Sequence, residues 1–219
     1  MNIVSKSEKL CPPEFLNRNF QKEMDRILEK FDPNDTPSIL LHSCCAPCSS
    51  HVISYLSDFF NITVFYYNPN ISESDEYERR AEEQKRFIKE YPSRNPVKFI
   101  EGEYRPEEYF DLIRGLEKAP EGGERCVRCY RMRLDKTAEV AKENGFDYFA
   151  TTLSISPMKS SALINSIGSE AAIFHDVNYL LSDFKKKNGY KHSVELSKEY
   201  GLYRQDYCGC IFTRDHSHE

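Results

Sequence analysis

No apolar run in these 219 residues exceeds a few positions. That excludes a helix spanning a bilayer, which needs about 20 predominantly apolar residues. The opening stretch, Met-Asn-Ile-Val-Ser-Lys-Ser-Glu-Lys, lacks the apolar core of a secretory signal. Together these absences predict a cytoplasmic protein with no membrane partner. Positive charge is also short: 30 Lys and Arg against 35 Asp and Glu give a net charge of −5. Indiscriminate nucleic-acid binding is disfavoured, although a local basic patch is not, because fields depend on where the charges lie. Internal repeats and low-complexity tracts are lacking. Glycine is missing from the turn that follows the first expected strand, so that turn cannot wrap its backbone around a phosphate as a P-loop does.

What occupies that turn is cysteine. Ser38-Ile39-Leu40-Leu41 reads as a short buried strand, His42 to Ser50 as the turn, and residues 49–59 as a helix. Cys44, Cys45 and Cys48 thus sit in one strand-to-helix connection, where open α/β sheets build their sites. The chain holds eight cysteines, and seven fall into three groups: Cys44/Cys45/Cys48, Cys126/Cys129 and Cys208/Cys210. In a reducing compartment such grouping reads as metal ligands or a redox pair rather than a disulfide scaffold. Scattered structural cysteines would explain single residues, not three clusters. Cys11 stands alone and is read as bland.

With 39% hydrophobic residues, 14 Phe and 14 Tyr, there is material for one proper core. Three segments are expected: a leader and helix over 1–37, a catalytic α/β domain over 38–212 and a frayed tail over 213–219, whose His216 and His218 are read as frayed rather than metal-binding. Phe20, Met24, Ile27, Leu28 and Phe31 recur at helical spacing. Further strands are expected over 61–67, 96–100 and 146–153, and helices over 73–91, 105–118, from the second cysteine pair to Gly145, over 160–173, and up to Tyr200. Strands alternating with helices predict a mostly parallel sheet covered on both faces.

Cys126-x-x-Cys129 at a helix start places two thiols near backbone N–H groups that favour the thiolate. With two thiols of the first turn it completes a four-cysteine set, the ligand set of structural zinc and of 4Fe–4S clusters alike. Spacing alone favours Cys45 and Cys48 as the first pair. Cys208-Gly209-Cys210 is surplus to a filled four-coordinate site, which tilts the balance towards redox chemistry. Arg125, Arg128, Arg131 and Arg133 crowd the second pair, and Lys185 to Lys187 and Lys191 follow later. Most suit a solvated helix face, whereas Arg128 and Arg131 are taken as candidates for RNA phosphates beside the site. Tyr66, Tyr130 and Tyr207 suit base stacking or core equally.

Leu41-His42-Ser43-Cys44-Cys45-Ala46-Pro47-Cys48, Phe65-Tyr66-Tyr67-Asn68-Pro69-Asn70-Ile71, Arg125-Cys126-x-x-Cys129-Tyr130, Thr151-Thr152-Leu153-Ser154-Ile155-Ser156-Pro157 and Tyr207-Cys208-Gly209-Cys210-Ile211 together resemble the QueH family of cobalamin-independent epoxyqueuosine reductases. The likeness runs from about Phe20 to Phe212 and leaves Cys11 outside. The family's basic, glycine-containing stretch before the last helix is weakly matched by residues 184–190. The resemblance implies a fold similar to the PP-loop ATPases, a 4Fe–4S cluster, and reduction of epoxyqueuosine to queuosine at the tRNA wobble position with electrons from an unidentified donor. It implies Cys44, Cys45, Cys126 and Cys129 as cluster ligands, with Cys48 the alternative to Cys44. It also implies that Cys208 and Cys210 form a redox pair or hold a second iron. Asp206, Tyr207 and His42 are the proton-donor candidates. The competing readings are a zinc-stabilised RNA-binding module without catalysis and a PP-loop-like tRNA thiolase, the latter disfavoured by the missing phosphate loop.

Overall fold

The computed structural model describes residues 10–32 and 35–214; His216 and His218 lie outside the described residues. Five strands form one sheet: β1 (Ser38–Ser43), β2 (Asn61–Tyr66), β3 (Lys98–Glu101), β4 (Tyr148–Thr151) and β5 (Asn178–Tyr179). Every adjacent pair is parallel, in the order β3-β2-β1-β4-β5. The helices are α1 (Pro13–Leu16), α2 (Phe20–Leu28), α3 (Ala46–Leu56), α4 (Ser74–Glu90), α5 (Pro106–Leu112), α6 (Glu124–Glu143), α7 (Ser161–His175) and α8 (Gly189–Glu199).

The central strands are apolar on both faces because both faces are covered. Side chains alternate along a strand, so Ile39, Leu41, Val64 and Ala150 enter one core with α2, α3 and α4 residues Met24, Ile53 and Phe87. Leu40, Phe65 and Phe149 enter the other with Leu134 of α6 and Ile164 of α7. Gly168 allows α7 to approach β5, since a Cβ there would stand 2.3 Å from the Tyr179 ring.

Helix α2 is the expected N-terminal helix, and it packs on the sheet domain: Met24 and Leu28 are buried in the first core. Cys11 is likewise buried, against the second core. Strand β5, two residues long, is too short to register as a pattern in the sequence. Strand β4 ends sooner than expected because Thr151 turns the chain into a short 3-10 helix, Thr152–Ile155, its hydroxyl accepting from Leu153 N.

Strand β1 lies between β2 and β4, and the chain leaves it towards opposite edges. The crevice outside the carboxyl ends of β1 and β4 is therefore the switch point at which open α/β sheets receive ligands. His42 marks it. Fully buried, its Nε2 donates to Tyr67 O at 3.1 Å and its Nδ1 stands 2.9 Å from the Thr151 hydroxyl of β4.

Candidate metal centre

The first cysteine group sits at this crevice. Cys45 is the extended residue that caps α3, and Pro47 occupies the first turn, where a missing N–H costs nothing. In place of glycine, a side chain of α4 braces the turn: Ser43 and Ser49 hydroxyls both donate to Gln84 Oε1 at 2.8 Å. The Sγ atoms of Cys44, Cys45 and Cys48 all lie within 4.8 Å of one another.

The second group opens α6. Cys126 Sγ accepts from Gly122 N at 3.3 Å. Cys129 lies one turn on, and Arg133 one turn further along the same face. The third group is a tight bend at Gly209, whose φ of +94° is left-handed and whose Cβ would press Ile71 at 2.7 Å. Ser72 N donates to Gly209 O at 3.1 Å, and Asn70 Nδ2 to Cys208 O at 3.3 Å. Cys210 Sγ lies 3.0 Å from the Tyr109 hydroxyl, and Cys208 Sγ 3.2 Å from that of Thr213. Cys129 and Cys210 share one buried cluster, against which Cys208 packs.

A cavity of about 380 Å³ opens at the crevice, lined by Cys44, Cys48 and Cys208 together with Arg80, Arg133 and Lys159. Asp206 and Tyr207 also line it, and His42 does not. Hydrogen bonds from Cys45 and Cys48 hold the Cys44 thiol well below its ordinary pKa, while Cys45 is pushed up to about 12 and Cys48 well above its usual value by the same contacts. Cys208 is lowered through its hydrogen bond with Cys210, which is raised in turn. Burial lifts Cys126, and Cys129 to about 11. Burial disfavours the charge of Lys159, yet Cys208 and Cys44 outweigh it and leave that ammonium above its ordinary value.

In each of the two groups lining the cavity one thiol is thus shifted towards its thiolate form at its neighbour's expense, and metal binding releases the protons that ligand thiols carry. Clustered soft ligands facing buried cations fit a thiolate-bound metal. A second sign agrees: Arg80 Nη1 and Arg133 Nε are buried donors without a hydrogen-bond partner.

Arg128 and Arg131 lie elsewhere. They line an exposed groove with Met132, Glu170 and Phe174 that shares no residue with the thiol cavity. Arg128 donates to Leu112 O at 3.0 Å, and Arg131 pairs with Glu170. Arg125 is buried and donates to three backbone carbonyls. Tyr66 and Tyr130 are core, whereas Tyr207 faces the cavity.

Asn68, Asn70 and Arg133 all figure in the sequence reading, but without a part in fastening the groups to one another. Asn68 donates to Ser43 O at 2.8 Å and accepts from Arg133 Nη1 at 3.3 Å. With Asn70 on Cys208, the Asn-Pro-Asn loop after β2 touches the first and third cysteine motifs and meets α6 through Arg133. Its signal was the pair of asparagines beside a proline at the carboxyl end of a central strand. Arg133 was also legible, standing four residues after Cys129 and seven after Cys126, on the face that those cysteines turn inward.

A doubly covered parallel sheet with a cysteine cluster that could hold a metal at its switch point defines a thiol-rich α/β protein. The family model for epoxyqueuosine reductase QueH matches residues 39–216. The chain is similar to proteins of that name from Streptococcus pyogenes (48% identical, covering 89% of this chain and 77% of the relative), Staphylococcus epidermidis (41%, 89% and 84%) and Thermotoga maritima (37%, 80% and 90%). The chain belongs to the QueH family, and its enzyme class is oxidoreductase. Among the described residues no helix is long and apolar enough to cross a membrane.

Proposed function

We propose that this chain is an iron–sulfur oxidoreductase that reduces epoxyqueuosine in tRNA to queuosine, the last step of queuosine biosynthesis. The supporting observation is that two cysteine motifs far apart in the chain line one cavity at the switch point, while Cys129 of the remaining motif shares a buried cluster with Cys210 beside it. Deoxygenation breaks both C–O bonds of the epoxide, forms an alkene and releases the oxygen as water, consuming two electrons and two protons. A 4Fe–4S cluster on Cys44, Cys45, Cys126 and Cys129 would supply single electrons from an unidentified donor. Cys48, whose Sγ lies within 4.8 Å of those of Cys44 and Cys45, is the alternative to Cys44. Cys208 and Cys210 serve as a redox pair or as ligands of a second iron.

The chain's own residues do the rest. Lys159, which lines the cavity, favours negative charge developing on the departing oxygen, and Asp206 and Tyr207, which line it too, handle protons. Anaerobic purification followed by iron, sulfide and zinc analysis, with reductant-driven turnover of tRNA bearing epoxyqueuosine, tests this reading. Iron and sulfide in cluster proportions with queuosine as product are expected. Stoichiometric zinc without sulfide, in a protein that binds tRNA but never turns over, would replace it with the binding-module reading.

A further inference from the structure

Three arginines are buried in the described residues, and they are not alike. Arg80 is neutralised by Glu76. Arg125 spends its donors on the carbonyls of Glu117, Ala119 and Phe212. Arg133 is only 3% exposed, and among the described residues no carboxylate lies within ion-pair distance of it. It donates from Nη1 to the Asn68 amide oxygen at 3.3 Å, and its Nε has no partner. An unpaired cation so placed is strongly disfavoured, so the fold must supply its counter-charge by other means.

The groups around it are thiols. Cys129 is one helical turn before it on α6, and Cys44 and Cys208 share its cavity wall. These three come from the three separate cysteine motifs. Tyr130 covers another side, its ring centroid 5.9 Å from the guanidinium carbon.

We propose that Arg133 is the fixed counter-cation of the metal–thiolate centre, held by Asn68 so that one positive charge serves all three cysteine motifs and makes the centre easier to reduce. A four-thiolate centre is anionic and gains further negative charge on reduction. A buried cation beside it therefore stabilises the reduced form over the oxidised one, and hydrogen bonding and net charge are established determinants of such potentials. Arg133 is a positioning and tuning residue here, with no contact to substrate required. The inference rests on the iron–sulfur reading for its redox readout and on the thiol geometry alone for its metal readout.

The test compares Arg133→Met, which keeps length and removes charge, with Arg133→Lys, which keeps charge, and with Arg131→Met as a surface control. Each is reconstituted anaerobically with iron and sulfide, and its midpoint potential is measured spectroscopically. Arg133→Met should disfavour one-electron reduction tenfold or more, equivalent to about 59 mV. Arg133→Lys should stay within about threefold of the parent, and Arg131→Met should not move. An unchanged midpoint in a cluster-bearing Met variant overturns the proposal. If the Met variant assembles no cluster, the Lys variant decides: normal assembly and midpoint support a requirement for charge, and failure of both shows that shape or hydrogen bonding was needed instead. Should the parent protein hold zinc and no sulfide, the functional reading fails by itself. Cobalt titration of the metal-free variants then still reads the counter-cation, with Arg133→Met binding at least tenfold more weakly and equal affinity overturning it.

Discussion

The two cysteines of the third motif occupy different surroundings, and this decides what each substitution does. Cys208 lines the cavity, whereas Cys210 is buried against Tyr109. A double Cys208→Ser, Cys210→Ser variant keeps nearly the same volume, so the fold and a 4Fe–4S absorption spectrum should persist while epoxide deoxygenation is abolished. Full turnover would make the pair ornamental, and bleaching would add it to the primary ligands. Cys126→Ala or Cys129→Ala, by contrast, should lose the metal and loosen the start of α6, visible as missing iron and a lower unfolding temperature. Cys11→Ala should cost about 1 kcal/mol in denaturant unfolding, as a buried side chain truncated in a core, and leave iron content unchanged. The cysteine groups were plain in the sequence because their residue type and spacing are rare. Burial was harder to read, since Arg133 and its helical neighbours Arg128 and Arg131 are identical in composition and separated only by phase on α6.

Helices α3 and α8 meet through His51 and His192, whose Nδ1 atoms lie 2.9 Å apart, so one ring donates and the other accepts. Burial lowers the pKa of His51 to about 4, with the neighbouring His192 adding to the effect. The unfolded chain takes up this proton near pH 6.5 and the folded chain only near pH 4. Stability from His51 is thus fully present above about pH 6.5 and is lost as pH falls towards 4, by an amount on the order of 2 kcal/mol. Buried, neutral His42, lowered to about 3, acts in the same direction. Melting temperatures of the metal-free protein between about pH 7.5 and 4.5 should therefore fall steeply, and His51→Gln should flatten the lower part of that curve. A parallel decline in the variant would clear His51 of any part in it. At this scale most elements were legible, because β2 is a short run of β-branched and aromatic residues and helices such as α4 keep a period of 3.6. The two-residue β5 and the four-residue turn after β4 were not, since they are set by tertiary pairing and by one threonine side chain rather than by a pattern.

For the molecule as a whole, the alternation of elements foretold a parallel sheet, while the strand order that puts β1 and β4 side by side depends on long-range pairing no local pattern encodes. On the proposed function, tRNA must meet a chain of net charge −5, so positive charge has to be concentrated locally. If Arg128 and Arg131 contact phosphates, Arg128→Glu or Arg131→Glu should weaken tRNA binding several-fold and reduce the salt dependence of log K by about one unit for each phosphate no longer neutralised. Their present carboxylate partners are exposed and worth about 1 kcal/mol or less, so phosphate can replace them. An unchanged slope would return both arginines to a solvated helix face. The long stretch of chain between the first cysteine turn and the α6 cysteines also has a mechanical side. A metal bridging Cys44 to Cys129 closes a loop of roughly eighty residues and withdraws its entropy from the unfolded chain, as a long-range disulfide would. Stretched between its ends in an optical trap, the metal-loaded protein should yield first outside that loop, then hold at a shortened contour length until metal–sulfur bonds rupture. The metal-free protein should extend without that pause, so the centre would act as a removable knot in the chain as well as a redox group.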